Sequence, residues 1–251
     1  MREKLVAIAP FVRSCPRVVT LGVQTSMGDY TPAQRRMLLC ASQILFPTPR
    51  FAGILHAAGK RTFPSAISYS ILRSRLIQEV LFQLLKCPRP FTRIYYGRQK
   101  NSILEDFSFP FRAMGPKMPG SALRVCDNIE LKALAEIYNP LIVQESLDYQ
   151  DRFLLIFVNY QCIGILGKIS GGEQDGFKEN IARDCFNGEI VSYLENLFRS
   201  VQINDVAAQI GIIRGGCRVI ELARPPLWRP TPEGAINRFD YISHMIESNM
   251  F

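Results

Sequence analysis

The sequence predicts a small α/β domain followed by a larger α+β part rich in antiparallel hairpins, and three stretches carry that prediction. RVVTLGV (17–23) is a β-branched run, followed by a helix start at TPAQ (31–34) and an extended ILFPTPRF (44–51), a β-α-β opening. FLLIFVNYQCIGILGK (153–168) sets two apolar runs around an Asn-Tyr-Gln turn. IGIIRGGCRVIEL (210–222) repeats the pattern around Gly215-Gly216.

The elements follow in order. RVVTLGV reads as a buried strand. Thr31 is placed as N-cap, Pro32 at the first helical position and Gln34 as the capping-box partner, with Met37, Leu38, Ala41 and Leu45 as the apolar face. ILFPTPRF is read as extended and broken by Pro47 and Pro49, and the small domain ends near KRTFPS (60–65). Ser65 caps a second helix with Ile67, Ile71, Leu72, Leu76, Val80, Leu81 and Leu84 at the helical period, stopped by KCPRP (86–90). TRIYYG (92–97) is a strand, and FPFRAMGPKMPGSALRV (109–125) is a strand, a Gly/Pro/Ser turn and a return. That last shape suits either a loop folded over phosphates or an ordinary hairpin. A short helix runs from Asn128 through Tyr138, and LIVQESL (141–147) is strand-like with an acidic end. Ile190, Val191, Leu194, Leu197, Phe198 and Val201 mark a helix between the two hairpins, and the tail from Arg224 is proline-punctuated, then helical.

Composition narrows the function classes. An apolar share of 47% with 21% charged residues is globular rather than disordered, and no apolar run is long enough to span a membrane. The basic N-terminus is interrupted by Pro10 and Arg13, so no signal peptide is expected. Seven cysteines without a CxxC pair, and only His56 and His244 as imidazoles, predict no structural zinc and a reducing cytoplasm. The same scarcity argues against a Cys/His nucleophilic site, and no GxxxxGK[ST] phosphate loop occurs. A net charge of +8 favours anionic partners, but its even spread predicts no nucleic-acid partner. In LARPPLW (222–228), Trp228 is read as a core cap, with partner docking as the other reading.

Taken in order, ILFPTPRFAGILHAAGKRTFPS, SRLIQEVLFQLLKCPRPFTRIYYG, FPFRAM, IVQESL, FKENIAR and RVIELARPP resemble the ATP-grasp superfamily over roughly residues 40–228. The likeness is strongest to the branch of ribosomal-protein glutamate ligases and related amino-acid ligases. It implies a small α/β domain (1–65), an ATP-grasp-like domain (66–228) and a C-terminal tail (229–251). The second divides into a nucleotide lobe (66–147) and a C-terminal lobe (148–228), both α+β. The implied activity is ATP-dependent carboxylate–amine ligation through an acyl phosphate, with ATP and Mg²⁺ as cofactors. An acidic small molecule or peptide is the implied substrate.

The resemblance also assigns residues. Arg75 takes the position of the first nucleotide-contacting lysine, although a solvated helix arginine reads equally well. Gln144 and Glu145 match the interlobe hinge beside adenine and ribose. Asn180 and Arg183 match catalytic positions, with Lys178 a neighbouring nucleotide-binding cation. Glu221, a carboxylate in an otherwise apolar strand, matches the magnesium-binding glutamate. The departures converge on phosphate and metal binding. Met114 replaces the second lysine, Leu123-Arg124 a glycine turn, Asp184-Cys185 two glycines, Gly211 the metal-binding aspartate and Ala223 an asparagine. Arg152 and Leu154 stand where an acidic-x-arginine motif belongs, with Asp151 adjacent. Lys117, three residues beyond Met114, is the candidate replacement cation. The expectation is a ligase with an impaired site. The alternative is a catalytically silent relative acting as a nucleotide-binding, regulatory or scaffolding protein, self-associated or bound to an active ligase.

Overall fold

The computed structural model describes residues 5–118, 120, 122–168, 177–180, 186, 188–226 and 237–250. The chain opens on a parallel four-stranded sheet built from β1 (Leu5–Ala7), β2 (Val18–Thr20), β3 (Gln43–Leu45) and β4 (Arg61–Phe63), in the order β2-β1-β3-β4. Between them lie α1 (Pro32–Cys40) and α2 (Pro49–Ala57). The capping box of α1 forms as expected: Gln34 N donates to Thr31 Oγ1 at 3.2 Å and Thr31 N to Gln34 Oε1 at 2.9 Å. Three expectations are corrected. The strand within RVVTLGV is not a buried one: β2 is an edge strand with one neighbour and only half-buried residues, although Leu21 just beyond it is buried. Of the predicted α1 face, Leu38 is buried while Met37 is exposed. ILFPTPRF is not extended throughout, because Pro49 starts a helix. Thr48 Oγ1 accepts from Phe51 N at 3.3 Å, and a proline at the first helical position lacks an N–H that the helix would leave unpaired anyway.

The single helix expected from Ser65 is two: α3 (Ala66–Ile71) and α4 (Arg75–Leu84). Ser65 caps the first, and Ser74 Oγ caps the second by accepting from Ile77 N at 3.2 Å. The break rotates α4, so its buried residues are Arg75, Gln78, Glu79 and Phe82, whereas Val80 and Leu84 are exposed. Polar groups tolerate that burial because they find partners. Gln78 Nε2 donates to the carbonyls of Ile71 and Leu222 and its Oε1 accepts from Leu222 N at 3.0 Å. Glu79 pairs with Arg89.

The second sheet is antiparallel, with β5 (Thr92–Tyr95), β6 (Phe111–Met114), β7 (Leu123–Val125) and β8 (Leu141–Glu145) in the order β5-β8-β6-β7. The connections hold α5 (Ile103–Asp106) and α6 (Asn128–Ile137), the latter capped by Asp127. Phe111, Ala113, Val125, Leu131, Leu141 and Val143 form one apolar core on a single face of this sheet. FPFRAMGPKMPGSALRV is the β6–β7 hairpin.

The third sheet runs β11-β10-β9-β12-β13, from β9 (Asp151–Val158), β10 (Gln161–Lys168), β11 (Phe177–Asn180), β12 (Asp205–Ile213) and β13 (Gly216–Ala223). Both predicted hairpins form. The first turns at Asn159 and Tyr160 (φ 47° and 68°), and the second at Gly215 and Gly216, whose φ of 95° and 136° glycine adopts without strain. On one face α7 (Gly188–Ser200) presents Ile190, Val191, Leu194, Leu197 and Phe198 to the core. On the other, Ile156, Val158 and Ile163 meet Ala7, Phe46 and Phe63 of the first sheet together with Ile242, Met245 and Ile246 of α8 (Arg238–Glu247). The expected tail therefore ends in a core element joining two sheets. Trp228 lies outside the described residues.

Among the described residues, Cys40 and Cys126 are exposed, and burial pushes the Cys87 thiol up to about 12. A maleimide pulse on the native protein is expected to label Cys40 and Cys126 within minutes and to spare Cys87 until denaturant is added. Peptide mass spectrometry reads the result. Labelling of Cys87 at the same rate would contradict its place in the core.

Candidate functional site

Strand alternation builds the first wall of a cleft between the second and third sheets. Phe111 and Ala113 point into the apolar core, so Arg112 and Met114 face the other way, and Arg112 lies opposite Gln144 of β8 in register. The third sheet supplies the second wall. Gln209 of β12 stands opposite Glu221 of β13, and Gly211 opposite Arg152 of β9. The polar stripe of α4 completes the site. Arg75, Arg112, Met114, Gln144, Arg152 and Glu221 line a cavity of about 280 Å³.

Arginine dominates its electrostatics. Arg75 is 4% exposed, and its Nη2 donates to Gly120 O at 3.0 Å and to Glu221 Oε2 at 3.2 Å. Its Nη1 is buried without a hydrogen-bond partner among the described residues. Burial, then the charges of Arg152 and Arg75, push Arg112 below the usual guanidinium range, against the opposing pull of Tyr149 and Glu221. Glu79 is matched by Arg89. Three guanidinium groups therefore face one carboxylate, Glu221, and an anion is the complementary ligand. The loop after β6 closes on the start of α4. Leu76 N donates to Pro116 O, Met118 N to Arg73 O, and Lys117 bridges Ser74 through the backbone.

Among the described residues that line the cleft, magnesium finds a poor ligand set. Glu221 is held in an ion pair by Arg75. At Gly211 an added Cβ would lie 2.1 Å from Tyr149 Cδ1, so the tyrosine ring fills the space that an acidic side chain there would need. The Arg152 guanidinium covers that ring, 5.1 Å from its centroid. Ala223 has no donor atom on its side chain. Among the described residues no three His, Cys, Asp or Glu side chains converge on one point. One carboxylate already paired to arginine is a poor ligand set for an ion that demands octahedral oxygen coordination.

Of the sequence-predicted residues, the fold brings Arg75, Gln144 and Glu221 together in the cleft. Gln144 Nε2 donates to Thr92 Oγ1 at 3.1 Å. Glu145 follows it on β8, but its carboxylate accepts from Phe91 N at 2.6 Å and serves the sheet edge. Lys117 is exposed on the loop and is not among the residues lining the cleft. Lys178 and Asn180 lie on β11, where only the backbone is described, and Arg183, Asp184 and Cys185 lie outside the described residues. Arg112 was missed as a site residue, although alternation signals it: two residues before Met114, it shares that residue's face. Tyr149 and Gln78 carry no such signal, since one belongs to a connecting segment and the other sits on a helix whose apolar periodicity points to a different buried face.

No family model and no curated protein matches the chain. Solved structures do. The ATP-grasp ligase PsnB complexed with minimal precursor aligns with TM-score 0.72 at 12% identity over 100% of both chains. The D-alanine–D-alanine ligase from Bacillus anthracis, complexed with ATP, aligns with TM-score 0.66 at 10% identity over 97% of this chain and 93% of that one. A RimK domain protein ATP-grasp from Sphaerobacter thermophilus DSM 20745 gives TM-score 0.63 at 12% identity over 88% and 90%. The chain has the ATP-grasp fold. Among the described residues no helix is long and apolar enough to cross a membrane.

Proposed function

From the ATP-grasp fold, we propose that the cleft holds the phosphates of a nucleotide through arginines, without a divalent cation, and that the chain does not itself ligate a carboxylate to an amine. Arg75 carries this reading. Its guanidinium neutralises the carboxylate that the resemblance assigns to magnesium, while its buried Nη1 is left for an incoming acceptor. A charge-assisted bond to a phosphate oxygen would satisfy that atom. The chain then acts as a regulatory or scaffolding partner of an active ligase in the cytoplasm.

The second reading is an ATP-dependent carboxylate–amine ligase of the type its structural neighbours represent, with ATP and Mg²⁺ as cofactors. It draws on Glu221 lining the cleft, because magnesium is held elsewhere by one or two carboxylates plus phosphates and waters. Titration calorimetry with ATP separates the two. On the metal-free reading, affinity is the same in EDTA as in millimolar Mg²⁺, Arg112→Ala weakens it about tenfold or more, and Lys117→Ala leaves it unchanged. Glu221→Gln strengthens it by about threefold to tenfold, because Arg75 loses its competing carboxylate. The ligase reading requires the reverse: binding that needs Mg²⁺ and is lost in Glu221→Gln.

A further inference from the structure

A second pocket shares no lining residue with the arginine cleft. β1, β3 and β4 run parallel and end on one edge of the first sheet, and Phe11, Phe46 and Pro64 follow their carboxyl ends. That edge is where open parallel sheets take ligands. The pocket there measures about 450 Å³ and is also lined by Tyr69, Arg224 and Phe239. Its walls are aromatic. The Phe11 ring stacks on Phe239 at 4.9 Å and 5°, Phe46 meets both edge-on, and Phe11 is still 46% exposed.

The charges at this pocket leave one group unmatched. Arg238 Nε donates to Asp205 Oδ1 at 2.9 Å and its Nη2 to Oδ2, so that buried pair is neutral as a unit. Tyr69 donates its hydroxyl to Pro47 O at 2.6 Å, and burial followed by the Asp205 charge pushes it above the usual phenol range, so it is neutral too. Arg224 is exposed and has no ion-pair partner among the described residues. We propose that this pocket binds a small carboxylate with an aromatic body, the ring packed against Phe11 and Phe46 and the carboxylate paired with Arg224. An aromatic ring gains both apolar burial and edge or stacking contacts there, and the guanidinium selects an anionic over a cationic end.

The probe is 3-phenylpropionate, titrated into the full chain by calorimetry and followed by NMR contacts to the Phe11 and Phe239 rings. The expected result is saturable binding at one site, at least about tenfold weaker in Arg224→Gln and retained in Arg224→Lys. 3-Phenylpropylamine is expected not to bind. Phe11→Ala is expected to remove the aromatic contribution, while Arg224→Gln, a surface change, tests the charge without risk to folding. No saturation at millimolar probe, equal affinity in Arg224→Gln, or equal binding of the amine would each overturn the proposal. ATP titrated into the same variants reads the arginine cleft separately, so failure here leaves that reading standing and the reverse.

Discussion

Gly211→Asp, which puts an aspartate where the resemblance implies a metal ligand, is expected to destabilise the protein by about 3 kcal/mol and to create no magnesium site. The new Cβ would lie 2.1 Å from Tyr149 Cδ1 and 2.4 Å from its Cε1, so the ring or the strand must move. Moving the ring would also break its contact with the Arg152 guanidinium, 5.1 Å from the ring centroid. The carboxylate would also start from a buried backbone position on a strand paired on both sides, with Arg218 of β13 and Arg152 of β9 as its register partners. Urea denaturation measures the loss. Tyr149→Ala with Gly211→Asp is expected to recover most of it, since the clash is the cause, while Mg²⁺ affinity stays undetectable by calorimetry because Arg75 still holds Glu221. A stable single variant that binds Mg²⁺ would show that the tyrosine does not occupy the ligand's place.

Asp205→Ala is expected to cost about 3–5 kcal/mol, the largest effect of any single change proposed here. Asp205 and Arg238 are 3% and 7% exposed, and the carboxylate accepts both guanidinium donors. Truncating it leaves a buried cation with no counter-charge, at the junction where α8 joins β12. The same helix carries Ile242, Met245 and Ile246 into the core shared by the first and third sheets, so loosening its start exposes that interface. Asp205→Ala with Arg238→Met is expected to return much of the stability, because two apolar side chains leave no orphaned charge. Urea midpoints at constant slope decide it. A single variant within about 1 kcal/mol of the parent would mean that the pair does not hold the helix.

Local chemistry made much of the fold legible. The Thr31–Gln34 capping box, the two hairpins with their turns, and the β6–β7 hairpin depend on residues a few positions apart. Glu221 stood out for a similar reason, as a carboxylate in an apolar strand. What misled was burial. The apolar stripe of 65–84 implied one helix with Val80 and Leu84 inside, but a break at Arg73-Ser74 turned Arg75, Gln78 and Glu79 inward. Nothing local announces that, because the partners of those polar groups are Gly120, Leu222 and Arg89.

The sequence by itself determined the α/β start, the hairpin-rich second part, the net positive charge, and which residue types stand at 114, 211 and 223. Only the tertiary structure decided which side chains surround those positions. Arg112 faces the cleft that Met114 cannot serve, Tyr149 fills the space beside Gly211, and Arg75 pairs with Glu221 from 146 residues away. A sequence records the chemistry of each side chain. Which side chains converge in space is set by strand pairing, helix rotation and packing, over distances no local pattern spans.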